Sequence, residues 1–479
     1  MALRNKKESS GVSALRITHS PEQRDEQGRK EREKRKMNST KALLVTAGVM
    51  ALSCLDSSCK KEAPQEPPQG VSVQLSVEDA SCTEAWLKVS LTDASQPRTV
   101  AVQQDGQRVL TAQMTTADSV FVVEGLLPRR TYSYVAQRLR DTSVIDVSSP
   151  VQATMMDTTT HNFMFHLDTL GVTSSMLNDV AIVNDRLAYA VGEVYLRDST
   201  GQFDDTPYNL AKWNGQMWST QRVPVPLCPN GSGFFPLRSI HQFGPSDIWM
   251  TGGGDMIHWD GQAFRGDCSM NSLIQGAINK IWGCSSSDLY AVGNMGTIVH
   301  YSNGIWQRLE SGTTVTLNDV WGGSNRLVGE NVVVVAAGNK YTAGETKLLR
   351  ISESGEVDTL PWNSQIRSRQ SIWFSEHSRV YTCGSGVFSN NGSGWRLANG
   401  IPAIYTNRIR GNGENDIVVV GDFGLVAHFN GLTWHVYPEV GLPGGNYESV
   451  AMQGDLMIAV GWTGGRAVIL RGVRSADQT

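Results

Sequence analysis

A short opening of polar and apolar residues recurs seven times between Leu177 and Val450, and this recurrence limits the chain to folds that stack copies of one small unit. The openings are LNDV ending at Val180, LRSI at Ile240, INKI at Ile281, LNDV at Val320, RQSI at Ile372, TNRI at Ile409 and YESV at Val450, separated by 60, 41, 39, 52, 37 and 41 residues. Within about ten residues each is followed by an apolar run that stops at a glycine: Gly192, Gly252, Gly293, Gly338, Gly384, Gly421 and Gly461. A third element is legible in LAKWNGQMW, MIHWDGQAF, IVHYSNGIW and LVAHFNGLTW. There Asn214-Gly215, Asp260-Gly261, Asn303-Gly304 and Asn430-Gly431 sit between apolar runs, where positive-φ residues favour a two-residue hairpin. Each unit reads as four antiparallel strands in about 40 residues, which is a β-propeller blade, and seven openings imply seven blades.

The last unit lacks a legible closing strand after AVILRG. The segment His161 to Gly171, HNFMFHLDTLG, has the character of one and stands ahead of the first opening. Pairing the two closes the ring through its termini and leaves no free sheet edge. Twelve of the 13 tryptophans fall in the repeats, most at matching positions that suit packing between blades; Trp306 and Trp434 are expected in blade cores.

From Val71 to about Met156 the chain alternates apolar and polar residues in short runs such as VSVQLSV and AWLKVSL, the pattern of a small β-sandwich. The run Leu127-Pro128-Arg129-Arg130-Thr131-Tyr132 resembles the corner of fibronectin type III domains in which a tyrosine bonds back to the backbone. That resemblance places Trp86 in the sandwich core. The expected fold is therefore all-β, a sandwich over 71–156 followed by a seven-bladed propeller over 161–474.

Residues 1–36 hold 11 Lys/Arg and 6 Asp/Glu with little apolar grouping, so they read as a disordered or untranslated extension. Met37 opens a signal-peptide pattern, with Lys41 ahead of the 11-residue apolar run Ala42 to Leu52, too short to span a bilayer as a helix. Ala51-Leu52-Ser53-Cys54 resembles the lipobox of bacterial lipoproteins, which implies cleavage after residue 53 and lipidation of Cys54. A polar, Pro-rich tether follows up to Gly70. Removing residues 1–53 takes away 12 Lys/Arg and 6 Asp/Glu and moves the formal charge from −4 to −10, which disfavours nucleic acid as a partner. The remaining cysteines, Cys59, Cys82, Cys228, Cys268, Cys284 and Cys383, form no zinc-like spacing; their pairing stays open, and a free buried thiol suits Cys383.

Candidate chemistry is sparse. His258, His300 and His428 share one place on the third strand of three units, with Lys212 in another, which suits packing or exposure more than a metal on the ring axis. Ser389 to Trp395 resembles the hairpin of sialidase propellers but lacks its aspartate, and Arg238, Arg308, Arg367, Arg408 and Arg410 read as solvated. No GxSxG, P-loop or HExxH pattern occurs. No residue is assigned to catalysis, to a cofactor or to a metal. The units resemble bacterial secreted propeller repeats, and the order of lipobox, fibronectin-like domain and propeller is similar to that of envelope lipoproteins. The implied function is a non-catalytic binding or scaffold lipoprotein of the cell envelope, at the outer membrane or cell surface, with a protein or glycan as ligand. The alternative is a carbohydrate-active or other hydrolytic propeller, which requires acidic and basic side chains converging at one mouth of the channel.

Overall fold

The computed structural model describes residues 72–92, 98–339, 345–361 and 369–475. The extension, the signal-peptide pattern, Cys54, Cys59, the tether to Gly70 and Arg367 lie outside the described residues.

All the extended sheets are antiparallel. Residues 73–154 form a three-stranded sheet of Val73–Ala80, Glu84–Leu91 and Asp118–Glu124, and a five-stranded one centred on Thr99–Gln104 and Thr131–Arg140. Alternation along Glu84–Leu91 points Ala85, Leu87, Val89 and Leu91 into a shared core with Val100, Val102, Tyr132 and Tyr134. The backbone N–H of Leu127 donates to the Tyr132 hydroxyl at 3.0 Å. Trp86 departs from expectation. One residue out of phase with that inward set, it is fully buried on the other face of the sheet, where its Nε1 donates to the carbonyl of Asn391 at 2.8 Å.

Each of the seven openings heads a four-stranded antiparallel sheet, and the sheets are arranged as in a β-propeller. The first strands lie against one another in chain order, and Gly445–Gln453 of the last sheet lies against Met176–Asn184 of the first. In the last sheet the fourth strand is Phe163–Leu170, paired with Arg466–Arg474 from Ala467↔Leu170 to Arg474↔Phe163.

Four of the glycines that end the second strands are sterically required. A Cβ on Gly192, Gly293, Gly421 or Gly461 would lie 1.9–2.3 Å from a carbonyl oxygen in, or just ahead of, the neighbouring first strand. The hairpins differ from expectation. Only Asn303-Gly304 is a two-residue turn with both φ positive, at 54° and 81°. In the other three the glycine alone has positive φ, and the side-chain oxygen of Asn214, Asp260 or Asn430 accepts two backbone N–H groups in a longer turn. Trp306 is buried in a core with Trp249, Ile281 and Val299, whereas Trp434 is only half-buried against Phe429.

Candidate functional site

Among the opening quartets, a β-bulge at the second residue interrupts the pairing in six. The freed residue turns to the next sheet. Asn178, Asn279, Asn318 and Asn407 each donate through Nδ2 to the carbonyl of the first residue of the following quartet, Leu237, Leu317, Arg369 and Tyr447, at 2.8–3.0 Å.

The third residues of the quartets are Asp179, Ser239, Lys280, Asp319, Ser371, Arg408 and Ser449, all buried, and they meet around the axis. Asp179 accepts from Ser239 Oγ at 2.8 Å, Ile240 N at 2.9 Å, Lys280 Nζ at 2.5 Å and Ser449 Oγ at 2.7 Å. Asp319 accepts from Ser371 Oγ at 2.5 Å and from Ile372 N at 3.1 Å, and it forms ion pairs with Arg408 at 2.5 Å and Arg410 at 2.7 Å. Burial alone would raise both carboxyls, but Lys280 and Arg408 hold Asp179 down at about 2, and Arg408 and Arg410 hold Asp319 well below the usual range. Burial lowers Lys280 to about 8, with Arg408 and Arg410 adding repulsion that the Asp179 carboxylate only partly offsets. Arg408 and Arg410 are thus buried ion-pair partners and not solvated; Arg238 is exposed, and Arg308 is half-buried with Nη1 on the carbonyl of Leu273.

Beyond this ion cluster, at the end where the first strands turn into the second, the channel opens into a cavity of about 270 Å³. It is lined by His241, Gln242, Trp282, Trp321, Arg410 and Gln453 among others. Trp282 and Trp321 lie 6.4 Å apart, the Arg410 guanidinium sits 4.9 Å above the Trp321 ring, and both tryptophans are half-buried.

The repeated histidines have a different task. His258, His300 and His428 each bond through Nε2 to the aspartate that starts the preceding strand, Asp247, Asp288 or Asp416, at 2.6–2.9 Å. His258 also stacks on Trp249, and His300 on Tyr290, at 4.4 and 4.1 Å. His428 is buried and meets His161, Nδ1 to Nδ1, at 2.8 Å.

The sandwich docks on the loops at the same end of the sheets as the channel mouth. Glu84 pairs with Arg379, His377 bonds to Asp79 at 2.8 Å, and Asn391 Nδ2 donates to Glu84 and Glu124 at 2.9 Å each. The Ser389 to Trp395 hairpin therefore holds the sandwich. Beside it a cleft of about 590 Å³ runs between Glu84, Arg379, Asn391, Arg396 and Trp434, with Arg379 paired to Glu84 and Arg396 to Glu124 outside the cleft. Glu414 is buried next to Arg379 and His377, and burial pushes its carboxyl up to about 7.

Cys228 and Cys268 form a disulfide with a Cα separation of 5.7 Å, while Cys82, Cys284 and Cys383 are free. Cys82 and Cys383 are buried, the latter with its thiol raised to about 12 by desolvation. No group of three or more His, Cys, Asp or Glu among the described residues has metal-holding geometry.

No protein-family model and no curated protein matches the chain. Among solved structures, it is similar to YCF48 bound to D1 peptide, with 16% identity, a TM-score of 0.48 and coverage of 65% of this chain and 97% of that one. It is also similar to the computationally designed Ika8 protein, with 12% identity, a TM-score of 0.40 and coverage of 63% and 98%.

Proposed function

We propose that the chain is a cell-envelope lipoprotein, anchored through Cys54, whose seven-bladed propeller, closed by Phe163–Leu170, is a non-catalytic binding or scaffold module for a protein or glycan. The fibronectin type III-like sandwich, on this reading, sets the propeller at a fixed angle on its tether. The observation that carries it is the state of the axis: acids and bases converge there, as a hydrolase would need, but both carboxylates are spent on the bases and hydroxyls around them. Both oxygens of Asp179 and of Asp319 already accept hydrogen bonds, and their lowered pKa values leave neither able to act as an acid near neutral pH. The Cys228–Cys268 disulfide supports an oxidising compartment outside the cytoplasm.

Two measurements test the reading. Mass spectrometry of protein made in a bacterial host is expected to find an acylated peptide beginning at Cys54, and Cys54→Ser to release the protein from membranes; an unmodified N-terminus elsewhere would refute the anchor. A pull-down from native envelopes with the intact lipidated protein is expected to recover a ligand that a channel-mouth variant, Gln453→Ala with Trp282→Phe, retains less well. Hydrolysis of a glycan panel by the wild type that Asp319→Asn abolishes would favour the enzymatic reading instead.

A further inference from the structure

The channel mouth carries more information than a generic binding face. Among the described residues no Asp or Glu lines its cavity, although the whole chain is acidic, while Lys280 and Arg410 do. Directly beneath, three cations, Lys280, Arg408 and Arg410, face two carboxylates, Asp179 and Asp319, which leaves one positive charge in excess. Lys280 has a side-chain exposure of 8%, and its ammonium carries three N–H donors, of which one goes to Asp179. Two donors of a nearly buried cation thus remain for an acceptor in the cavity, and leaving them unmade is costly.

The walls limit what that acceptor belongs to. Trp282 and Trp321 are half-buried and present apolar ring surface, and Gln453 is an exposed rim amide. Gln242 donates through Nε2 to Ile182 O at 3.0 Å and keeps its side-chain carbonyl for another donor. Aromatic faces beside neutral amides suit a ring with apolar C–H faces and hydroxyls at its edge, and the spare ammonium donors suit an anion on the same ring.

We propose that the channel mouth binds an acidic sugar unit of a glycan, its carboxylate on Lys280 and its ring against Trp282 and Trp321. This rests on the reading of the propeller as a binding module and selects its ligand class. Because Lys280 titrates lower than an ordinary lysine, with Asp179, Asp319, Arg408 and Arg410 as its charged neighbours and a neutral His241 at the rim, affinity falls as the pH rises through about 8.

The test titrates galacturonate, galactose, acetate and a short peptide with a free C-terminus into the full chain, followed by calorimetry and saturation-transfer NMR. Galacturonate is expected to bind saturably, with galactose, acetate and the peptide each weaker by about tenfold or more. Lys280→Gln is expected to remove this preference over galactose, and the exposed Gln453→Ala to weaken galacturonate a few-fold without changing the melting temperature. If Lys280→Gln fails to fold, the Gln453→Ala titration and the loss of affinity above pH 8 decide. Equal binding of galactose, tighter binding of the peptide, no saturable binding, or a folded Lys280→Gln with unchanged preference overturns the proposal. Should the envelope pull-down recover a ligand while galacturonate fails to bind, only the sugar assignment falls; if neither the pull-down nor the titration finds a ligand, the binding-module reading falls with it.

Discussion

Two segments that precede the first repeat grip the propeller by different chemistry. Phe163–Leu170 joins the last sheet through eight consecutive backbone pairs with Ala467–Arg474, a grip that asks only for an extended strand with suitable alternation. The sandwich holds on through side chains: Trp86 on Asn391, Glu84 on Arg379, Asp79 on His377, and Asn391 on Glu84 and Glu124. A backbone grip tolerates many sequences, so it is visible as a missing strand in one place and a spare one in another. The side-chain grip depends on particular residues with no pattern to announce them.

The largest effect expected from this contrast comes from deleting residues 163–170. The edge of Arg466–Arg474 then loses its partner along its whole length, leaving backbone donors and acceptors open to another chain. Thermal unfolding is expected to lose cooperativity, and the variant to aggregate. Deletion of the sandwich, residues 72–156, is expected to leave the propeller folded, because its sheets are complete without it. If the two deletions unfold the propeller equally, the distinction between backbone and side-chain grips is wrong.

Smaller effects should follow from single changes in the side-chain grip. Trp86→Ala empties a large buried site and is expected to cost about 3–5 kcal/mol. Glu84→Ala leaves Arg379 buried without its ion partner and is expected to cost a similar amount, about 3–5 kcal/mol. Both should appear as release of the sandwich in limited proteolysis while the propeller keeps its melting temperature. Within the propeller, Trp306→Ala should cost about 3–5 kcal/mol and the half-buried Trp434→Ala clearly less, about 1–2 kcal/mol, since part of its surface stays in water when folded. A Trp86→Ala variant whose proteolysis pattern is unchanged would show that backbone contacts, such as Thr159 N to Asn430 O, are the real hold.

The repeat is legible because in four of the sheets the backbone beside the first strand leaves room only for glycine, and the quartets mark those first strands. Trp86 was misplaced because a fully buried tryptophan looks the same whether it faces its own sandwich or another domain; only its phase relative to Ala85 and Leu87 carries the distinction. Arg408 and Arg410 read as solvated in the sequence because their partner Asp319 is distant along the chain, yet the sequence holds a signal for their pairing. Asp179, Lys280, Asp319 and Arg408 occupy one quartet position, and charge at a place that repeats around a ring has few places to go except the axis. The bulge that frees Asn178 and its counterparts explains the recurring asparagine before that position.

The smallest effect, and the sharpest test of the comparison, is its dependence on pH. At the sandwich, His377 is raised above 6.5 chiefly by its hydrogen bond to Asp79, so its contribution is complete below 6.5 and is lost as the pH rises through its folded value. Glu414, raised to about 7 by burial, behaves alike: its contribution is present below 4.5 and lost as the pH rises through about 7. Asp79 has the opposite sign, but its lowered pKa moves that loss to below 3.8. At the strand seam, burial together with His428 and His435 lowers His161 to about 4, and burial lowers His428 against the pull of Asp416. Their contribution is present above 6.5 and lost as the pH falls below it, for His161 toward about 4, because His428 donates through Nε2 to Asp416 and its Nδ1 must stay unprotonated to accept from His161. Going from pH 7.5 to pH 5 should therefore tighten the sandwich and loosen the seam, each by about 1 kcal/mol or less given the partial exposure of His161 and His377. Hydrogen exchange corrected for intrinsic rates measures both in one sample, over residues 84–91 and 163–170. Asp79→Asn should flatten the first response and His161→Gln the second. Responses of the same sign at the two places would mean that the grips are one cooperative unit, and the comparison would fail.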